Sequence, residues 1–194
     1  MSKPKFITNE IEIIFSAIES MGGEAYFCGG CIRDHIMGID PKDIDIEIFG
    51  INLETLQQTL SQFGKIDTVG ASFGITKLTT KTTDYDFSLP RRDNKIGIGH
   101  KDFTITIDHT MTRKEAASRR DFTMNAMSMD IQGNIYDPFN GIDDIKNKII
   151  RHTSKQFSED PLRALRGMQF AARFGFTIAP ETCEICKEMM KGEF

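Results

Sequence analysis

Between residues 43 and 48 the chain runs Asp-Ile-Asp-Ile-Glu-Ile. Side chains two apart on a strand share a face, so Ile44, Ile46 and Ile48 turn to a core while Asp43, Asp45 and Glu47 line up outside it. This period-two run commits the chain to a sheet with one face covered. Carboxylates so close together repel one another unless a cation sits among them. Magnesium is held by a few carboxylates together with phosphate oxygens, so an Asp-x-Asp at a strand end suits one or two Mg2+ ions. Two such ions clamp the attacking and leaving oxygens of an in-line phosphoryl displacement. An ordinary solvent-facing edge strand shows the same alternation, and this segment alone does not separate the two readings.

Gly29-Gly30-Cys31-Ile32-Arg33-Asp34 bears on that choice. The glycines stand about 14 residues before the acids, between a strand predicted over 24–28 and a short helix predicted over 32–37. Glycine lets a phosphate approach the backbone, and the helix start that follows offers free N–H groups. Arg33, one turn in, can fork onto the same phosphate. The plain alternative is a tight turn followed by a solvated Arg33-Asp34. Asp86 lies in Asp-Tyr-Asp-Phe-Ser-Leu, which alternates like a strand. A neighbouring strand there would complete a carboxylate triad with Asp43 and Asp45. Asp84 has the same parity and remains the rival.

Elsewhere, Ile11, Ile14, Phe15 and Ile18 predict a helix over 9–21, with Asn9 as its N-cap. A further amphipathic helix is predicted over 53–63, and strands over 65–69, 73–79, 84–89 and 103–107. The segment 90–101 reads as a mobile loop, and its basic start and glycines suit closure over nucleotide or primer. Residues 113–118 and 121–127 read as helical, and 130–136 as a hairpin turning on Gln132-Gly133-Asn134. Ser158 is the expected N-cap of a long helix to about Arg173, and Pro180 opens another. Mixed α and β give way to helix alone near residues 150–157. That sets expected domains of 1–150 and 151–194.

The composition, 39% hydrophobic over 194 residues, supports one sizeable core with a small satellite and excludes collagen, a disulfide scaffold and wholesale disorder. No apolar run reaches the roughly 18 residues of a membrane span, and the N-terminus lacks a signal-peptide core. No membrane partner and a cytoplasmic location are expected. Charge is uneven: −6 over 1–90, +3 over 91–125 and −1 over 126–194. That suits metal ions gathered on carboxylates and an anionic substrate gathered on arginines. The pairs Cys28/Cys31 and Cys183/Cys186 lie too far apart for a zinc ribbon and read as free thiols in a reducing compartment.

Two later stretches complete the set. Arg119-Arg120-Asp121 precedes Phe-Thr-Met-Asn-Ala, and Glu159-Asp160-Pro161-Leu162-Arg163 leads to Arg166. At spacings of three, Asp160, Arg163 and Arg166 share one face of a helix. An Asp acceptor beside an Arg donor can read a base edge. On an isolated helix the same spacing is an ordinary surface ion pair.

GGCIRD, DIDIEIFG, the stretch ending DFSLPRR, RRDFTMNAMSMD and the long segment from IYDPFNG to RFGF together resemble the class II nucleotidyltransferases. These are the CCA-adding enzymes of tRNA and the bacterial poly(A) polymerases. The motifs run in family order and cover most of residues 26–176. The resemblance implies an α+β head, with a small mixed, mainly antiparallel sheet flanked by helices, and then an all-helical neck. It implies Asp43 and Asp45 as ligands of Mg2+, Asp86 as the third acid, and Gly29, Gly30 and Arg33 on the triphosphate. Arg120 and Asp121 would contact the nucleotide, and Asp160 and Arg163, with Arg166 alongside, would choose the base. The implied reaction is attack of an RNA 3′-hydroxyl on the α-phosphate of CTP or ATP, releasing pyrophosphate and adding CCA to tRNA. A poly(A) polymerase or a partial CC- or A-adding enzyme carries the same motifs, and a non-catalytic nucleotide-binding subunit is the alternative of another class. Members are longer, with further helical domains that grip tRNA. Nucleotide binding is expected to survive without those domains better than RNA extension does.

Overall fold

The computed structural model describes residues 4–68, 70, 74–95 and 103–190. By its packing the chain divides into two units, Met1–Thr112 with Ser128–Ile135, and Arg113–Met127 with Tyr136–Phe194. This is not the single break expected near 150–157. The reason is sheet pairing: β8 (Ser128–Met129) returns to pair antiparallel with β1 (Glu24–Cys28), which pulls the hairpin after residue 127 back into the first unit.

The first unit is built on a seven-stranded sheet. Besides β1 and β8 it contains β2 (Asp45–Phe49), β3 (Lys65–Asp67), β4 (Ile75–Thr79), β5 (Asp84–Ser88) and β9 (Ile135–Tyr136). The order is β3-β4-β5-β2-β1-β8-β9. Within this sheet only the β2–β5 pair is parallel among the registers described; β1–β2, β1–β8, β3–β4 and β4–β5 are antiparallel. The mixed, mainly antiparallel sheet expected above is therefore observed.

One face of this sheet is apolar because Phe27, Ile46 and Phe87 fall in register across three strands, and all three are fully buried. The helix α1 (Asn9–Ser20) places Ile11, Ile14, Phe15 and Ile18 inward, with Phe15 stacked on Phe27 at 4.9 Å. Its cap is Thr8, whose hydroxyl accepts from the Ile11 N–H, rather than the expected Asn9. A second helix, α3 (Leu53–Leu60), buries Leu56 and Leu60, and Gln57 Nε2 donates to Thr76 Oγ1. With that face covered, the acids of β2 are left on the other.

The segment after Pro90 departs from expectation. Arg91–Lys95 is a strand, β6, paired antiparallel with β7 (Phe103–Ile107). Polar, non-alternating sequence hides a strand whose stability comes from its partner. At its base Arg92 Nε meets Asp108 Oδ2 at 2.7 Å. The Thr110 hydroxyl and then Arg92 hold the Asp108 carboxyl down at about 2. The rest of the expected loop, 96–101, lies outside the described residues.

The second unit holds α4 (Arg113–Ser118), a 3-10 turn at Thr123–Asn125, α5 (Gly141–Lys146), α6 (Leu162–Phe174) and α7 (Pro180–Met190). Two short parallel strands, β10 (Ile149–Ile150) and β11 (Thr177–Ile178), tie it together. Residues expected to be helical over 121–127 form only the 3-10 turn. The long helix expected from Ser158 is broken into a 3-10 stretch, Lys155–Glu159, and α6. The break is at Asp160, extended at φ −125° because Pro161 follows it. Phe122, Phe157 and Phe170 form the core, with ring centroids 5.4 and 5.7 Å apart. Gly167 lets α6 approach, since a Cβ there would stand 3.2 Å from the Phe122 ring. Among the described residues no helix is long and apolar enough to cross a membrane.

Candidate active site

On the open face of the first unit the register aligns the acids. Asp45 on β2 is level with Asp86 on β5, and Asp86 is level with Lys77 on β4. Registered neighbours point to the same side of a sheet, so Asp45, Asp86 and Lys77 form one row. The Asp86 N–H donates to the Ile44 carbonyl at 3.1 Å, which fixes Asp43 and Asp45 on either side of that anchor. Partial burial raises the Asp86 carboxyl above its ordinary range; Lys77 opposes this, while the charges of Asp43 and Asp84 add to it. Asp43 is thus electrostatically coupled to the row.

Asp84 behaves differently. It faces Thr79 across the β4–β5 pair and meets Lys77 Nζ at 3.0 Å. Hydrogen bonds from Lys77 and then Thr79 hold its carboxyl below the usual range. Parity could not separate Asp84 from Asp86; the structure sets Asp86 beside Asp45 and gives Asp84 to a lysine. Lys77 is the site-facing residue that the sequence reading missed, because its place depends on the pairing of two strands.

Among the described residues no three of His, Cys, Asp and Glu form a ready-made metal cage. The carboxylate triad is not closed by protein alone. The donors on offer are carboxylate oxygens, which suit magnesium, an ion that takes one or two carboxylates and completes its shell with water and substrate phosphates. The four cysteines form no disulfide, and buried Cys28 and Cys31 are not bonded to each other. Instead Cys31 Sγ lies 3.1 Å from the Cys28 carbonyl and 3.8 Å from that of Asp45, stitching the glycine turn to the first residue of β2.

That turn links β1 to α2 (Gly30–Ile36). Gly29 has φ +70° and ψ −130°, a backbone state that glycine adopts without steric cost. A Cβ on Gly30 would stand 3.4 Å from Arg33 Nη2, so the guanidinium lies over bare backbone. The pair Arg33–Asp34 is buried rather than solvated, at 5% and 7% exposure, with Nη2 to Oδ1 at 2.7 Å. Breaking such a pair by removing one partner leaves a buried charge, so Arg33 is held firmly where it stands.

The second unit gathers the other candidates. Asp121 is buried, and its Oδ1 accepts from the Phe122 N–H at 2.8 Å and from Asn125 Nδ2 at 2.9 Å. Its Oδ2 accepts from Arg166 Nε at 2.7 Å. Arg120, half-buried, immediately precedes it. Arg163 donates through Nη1 to the Gln156 carbonyl and through Nη2 to the Arg119 carbonyl, both at 2.9 Å. These two bonds leave Nε–H and one hydrogen on each Nη. Asp160 and Arg163 are not an i,i+3 pair of one helix, as the spacing suggested. Asp160 lies outside α6, its Oδ1 accepts from the Leu162 N–H at 3.0 Å, and no ion pair joins it to Arg163. The structure thus brings Asp121 and Arg166 together, and among the described residues Oδ2 of Asp160 accepts from none.

Residues 25–151 match the family of the Poly A polymerase head domain. The chain is 41% identical over 169 residues to the multifunctional CCA protein of Vibrio campbellii, covering 86% of this chain and 40% of that protein. It is 41% identical over 171 residues to the CCA-adding enzyme of Buchnera aphidicola, covering 87% and 39%. The structure superposes on the Bacillus stearothermophilus CCA-adding enzyme in complex with CTP with a TM-score of 0.79 at 32% identity, over 93% of this chain and 43% of that one. A CCA-adding enzyme in complex with ATP gives a TM-score of 0.79 at 28% identity, over 96% and 42%. The chain therefore spans about two fifths of the length of these relatives. Sequence and fold agree, and the chain belongs to the poly A polymerase head-domain family.

Proposed function

We propose that this chain is the catalytic and nucleotide-selecting part of a template-independent RNA nucleotidyltransferase that adds CMP and AMP to the 3′ end of tRNA. The observation that carries this reading is the in-register placement of Asp45 beside Asp86, one strand away from the Gly29-Gly30 turn with its buried Arg33. The kinship with CCA-adding enzymes solved with CTP and with ATP supports the same substrates here.

In this reading residues 1–150 form the catalytic head and residues 151–194 the start of a neck that recognises the base. Asp43 and Asp45 hold Mg2+, with Asp86 as the third acid. When bound, the ion neutralises charge on the α-phosphate and on the attacking 3′-oxygen. Gly29 and Gly30 offer backbone N–H groups and a surface without side chains to the triphosphate, and Arg33 supplies fixed positive charge. Arg120 contacts the nucleotide, and Asp121 orients Arg166 toward it. Cytosine and adenine each present an amino donor beside a ring-nitrogen acceptor. Oδ2 of Asp160 and the remaining N–H groups of Arg163 complement that pattern, whereas uracil and guanine offer a carbonyl where the amino group is required.

Calorimetric titration with each of the four nucleoside triphosphates in Mg2+ tests base choice. CTP and ATP should bind at least about tenfold more tightly than UTP and GTP, a discrimination of about 1.4 kcal/mol. Incubation with labelled nucleotides and a tRNA lacking its 3′ end tests the reaction, with product length separating a defined CCA from an open-ended A tail. Asp43→Ala and Asp45→Ala should each abolish transfer without moving the unfolding transition by more than a few degrees. Equal binding of all four nucleotides, or transfer that survives Asp43→Ala, would overturn the reading. A poly(A) polymerase, the activity for which the matched family is named, would give the open-ended tail.

A further inference from the structure

Five acids crowd the open face around the β2–β5 pair: Asp43 just before β2, Asp45 and Glu47 on it, and Asp84 and Asp86 on β5. Asp86 is level with Asp45 in the parallel pair. Asp43 lies in the bend before β2, and its charge acts on both Asp86 and Lys77. Asp84 and Asp86, two apart on β5, share the open face, so parity alone would offer a divalent ion either carboxylate. What breaks the equivalence is Lys77. It stands opposite Asp86 on β4, and on its other side Asp67 of β3. Its ammonium crosses diagonally to Asp84 Oδ2 at 3.0 Å. Both side chains are about half exposed, at 46% and 52%. An ion pair that open contributes little to stability, so holding the sheet together does not account for its position beside the acids.

We propose that Lys77 is a positioning residue that withholds Asp84 from the divalent ion, leaving Asp43, Asp45 and Asp86 as the carboxylates the ion meets. This rests on the metal-dependent reading above. The consequence is a low carboxylate count. Magnesium tolerates a shell rich in water and phosphate, while calcium collects six to eight oxygens and gains from every added carboxylate. Lys77 thereby tunes the site toward the smaller ion.

The test is a double-mutant cycle on metal binding in the absence of RNA, using Lys77→Met, Asp84→Asn and the two combined, with Lys77→Arg as the conservative variant. Mn2+ binding is read by electron paramagnetic resonance, and Ca2+ binding by calorimetry. Withholding predicts that Asp84→Asn changes Ca2+ affinity by less than about twofold in the parent chain but lowers it by about tenfold in the Lys77→Met background, a strong non-additivity. Ca2+ affinity should rise in Lys77→Met more than Mn2+ affinity does, and Lys77→Arg should keep the parent values. A simple charge effect predicts instead the same factor for Asp84→Asn in both backgrounds and parallel shifts for the two ions, and that result overturns the proposal. Asp43→Asn separates the two layers of the argument. If it leaves Mn2+ binding untouched, the metal site itself is misassigned and the proposal falls with it; if it abolishes binding, the cycle judges Lys77 alone. Circular dichroism melts confirm that each variant is folded.

Discussion

Asp121→Ala should be among the most destabilising single substitutions in the second unit. The carboxylate is 8% exposed and accepts three hydrogen bonds, from the Phe122 N–H, Asn125 Nδ2 and Arg166 Nε. Removing it leaves the Phe122 N–H, next to a fully buried ring, without that acceptor, at a cost of about 1–3 kcal/mol. The bond from buried Asn125 adds about 1 kcal/mol. The Arg166 side chain is half exposed, so its ion pair with Asp121 is screened and contributes under about 1 kcal/mol. The expected total is about 3–4 kcal/mol, a large part of the 5–15 kcal/mol typical of a domain. Asp121→Asn is the informative companion. Its amide oxygen can still accept from Phe122 and Asn125, but its NH2 group replaces Oδ2 and meets the Arg166 Nε–H donor to donor, so about 1–2 kcal/mol should be lost. Adding Arg166→Met removes that conflict, so the pair should cost less than the sum of the two single changes. Urea denaturation followed by circular dichroism measures all four variants. An Asp121→Ala within about 0.5 kcal/mol of the parent, or an Asp121→Asn as costly as the alanine, would refute the assignment of Asp121 as the anchor of this turn.

Two further outcomes follow from local geometry. Burial, with the charges of Asp43 and Asp84, raises the Asp86 carboxyl above 3.8. The folded chain then binds this proton more tightly than the unfolded chain, and stability is lost as pH rises from 3.8 through the raised value. Asp86→Asn should therefore melt higher than the parent at neutral pH in the absence of divalent ions, with the gain disappearing by about pH 3; an equal gain at both pH values would contradict the coupling. Gly141→Ala would place a Cβ 2.3 Å from the Thr123 carbonyl oxygen, a backbone atom at the 3-10 turn that follows Asp121. Since α5 or that turn must shift, a loss of about 3 kcal/mol or more is expected in thermal or urea unfolding, and a neutral substitution would show that the turn yields freely.

How much of this was legible in the sequence depended on whether the controlling interaction was local. The alternation over 43–48 announced β2 because each isoleucine reports its own burial, and Ile46 and Ile48 are indeed fully buried. The Asp-Pro at 160–161 carried a readable stop signal that a helix drawn from Ser158 overran. The strand at Arg91–Lys95 carried no such signal, since its order comes from pairing with Phe103–Ile107. The choice between Asp84 and Asp86 lies between these cases. Parity is silent because both residues share it, yet the answer follows from one turn. Thr80 N–H donates to the Thr83 carbonyl, and the Thr80 hydroxyl accepts from the Thr82 and Thr83 N–H groups. A turn closed in that way fixes Thr79 opposite Asp84, and counting back two residues fixes Lys77 opposite Asp86. Four threonine-rich residues thus decide which carboxylate faces Asp45 and which receives the lysine. Had the turn been one residue longer on one side, period two would have carried Lys77 to the covered face and left both acids of β5 open to the ion.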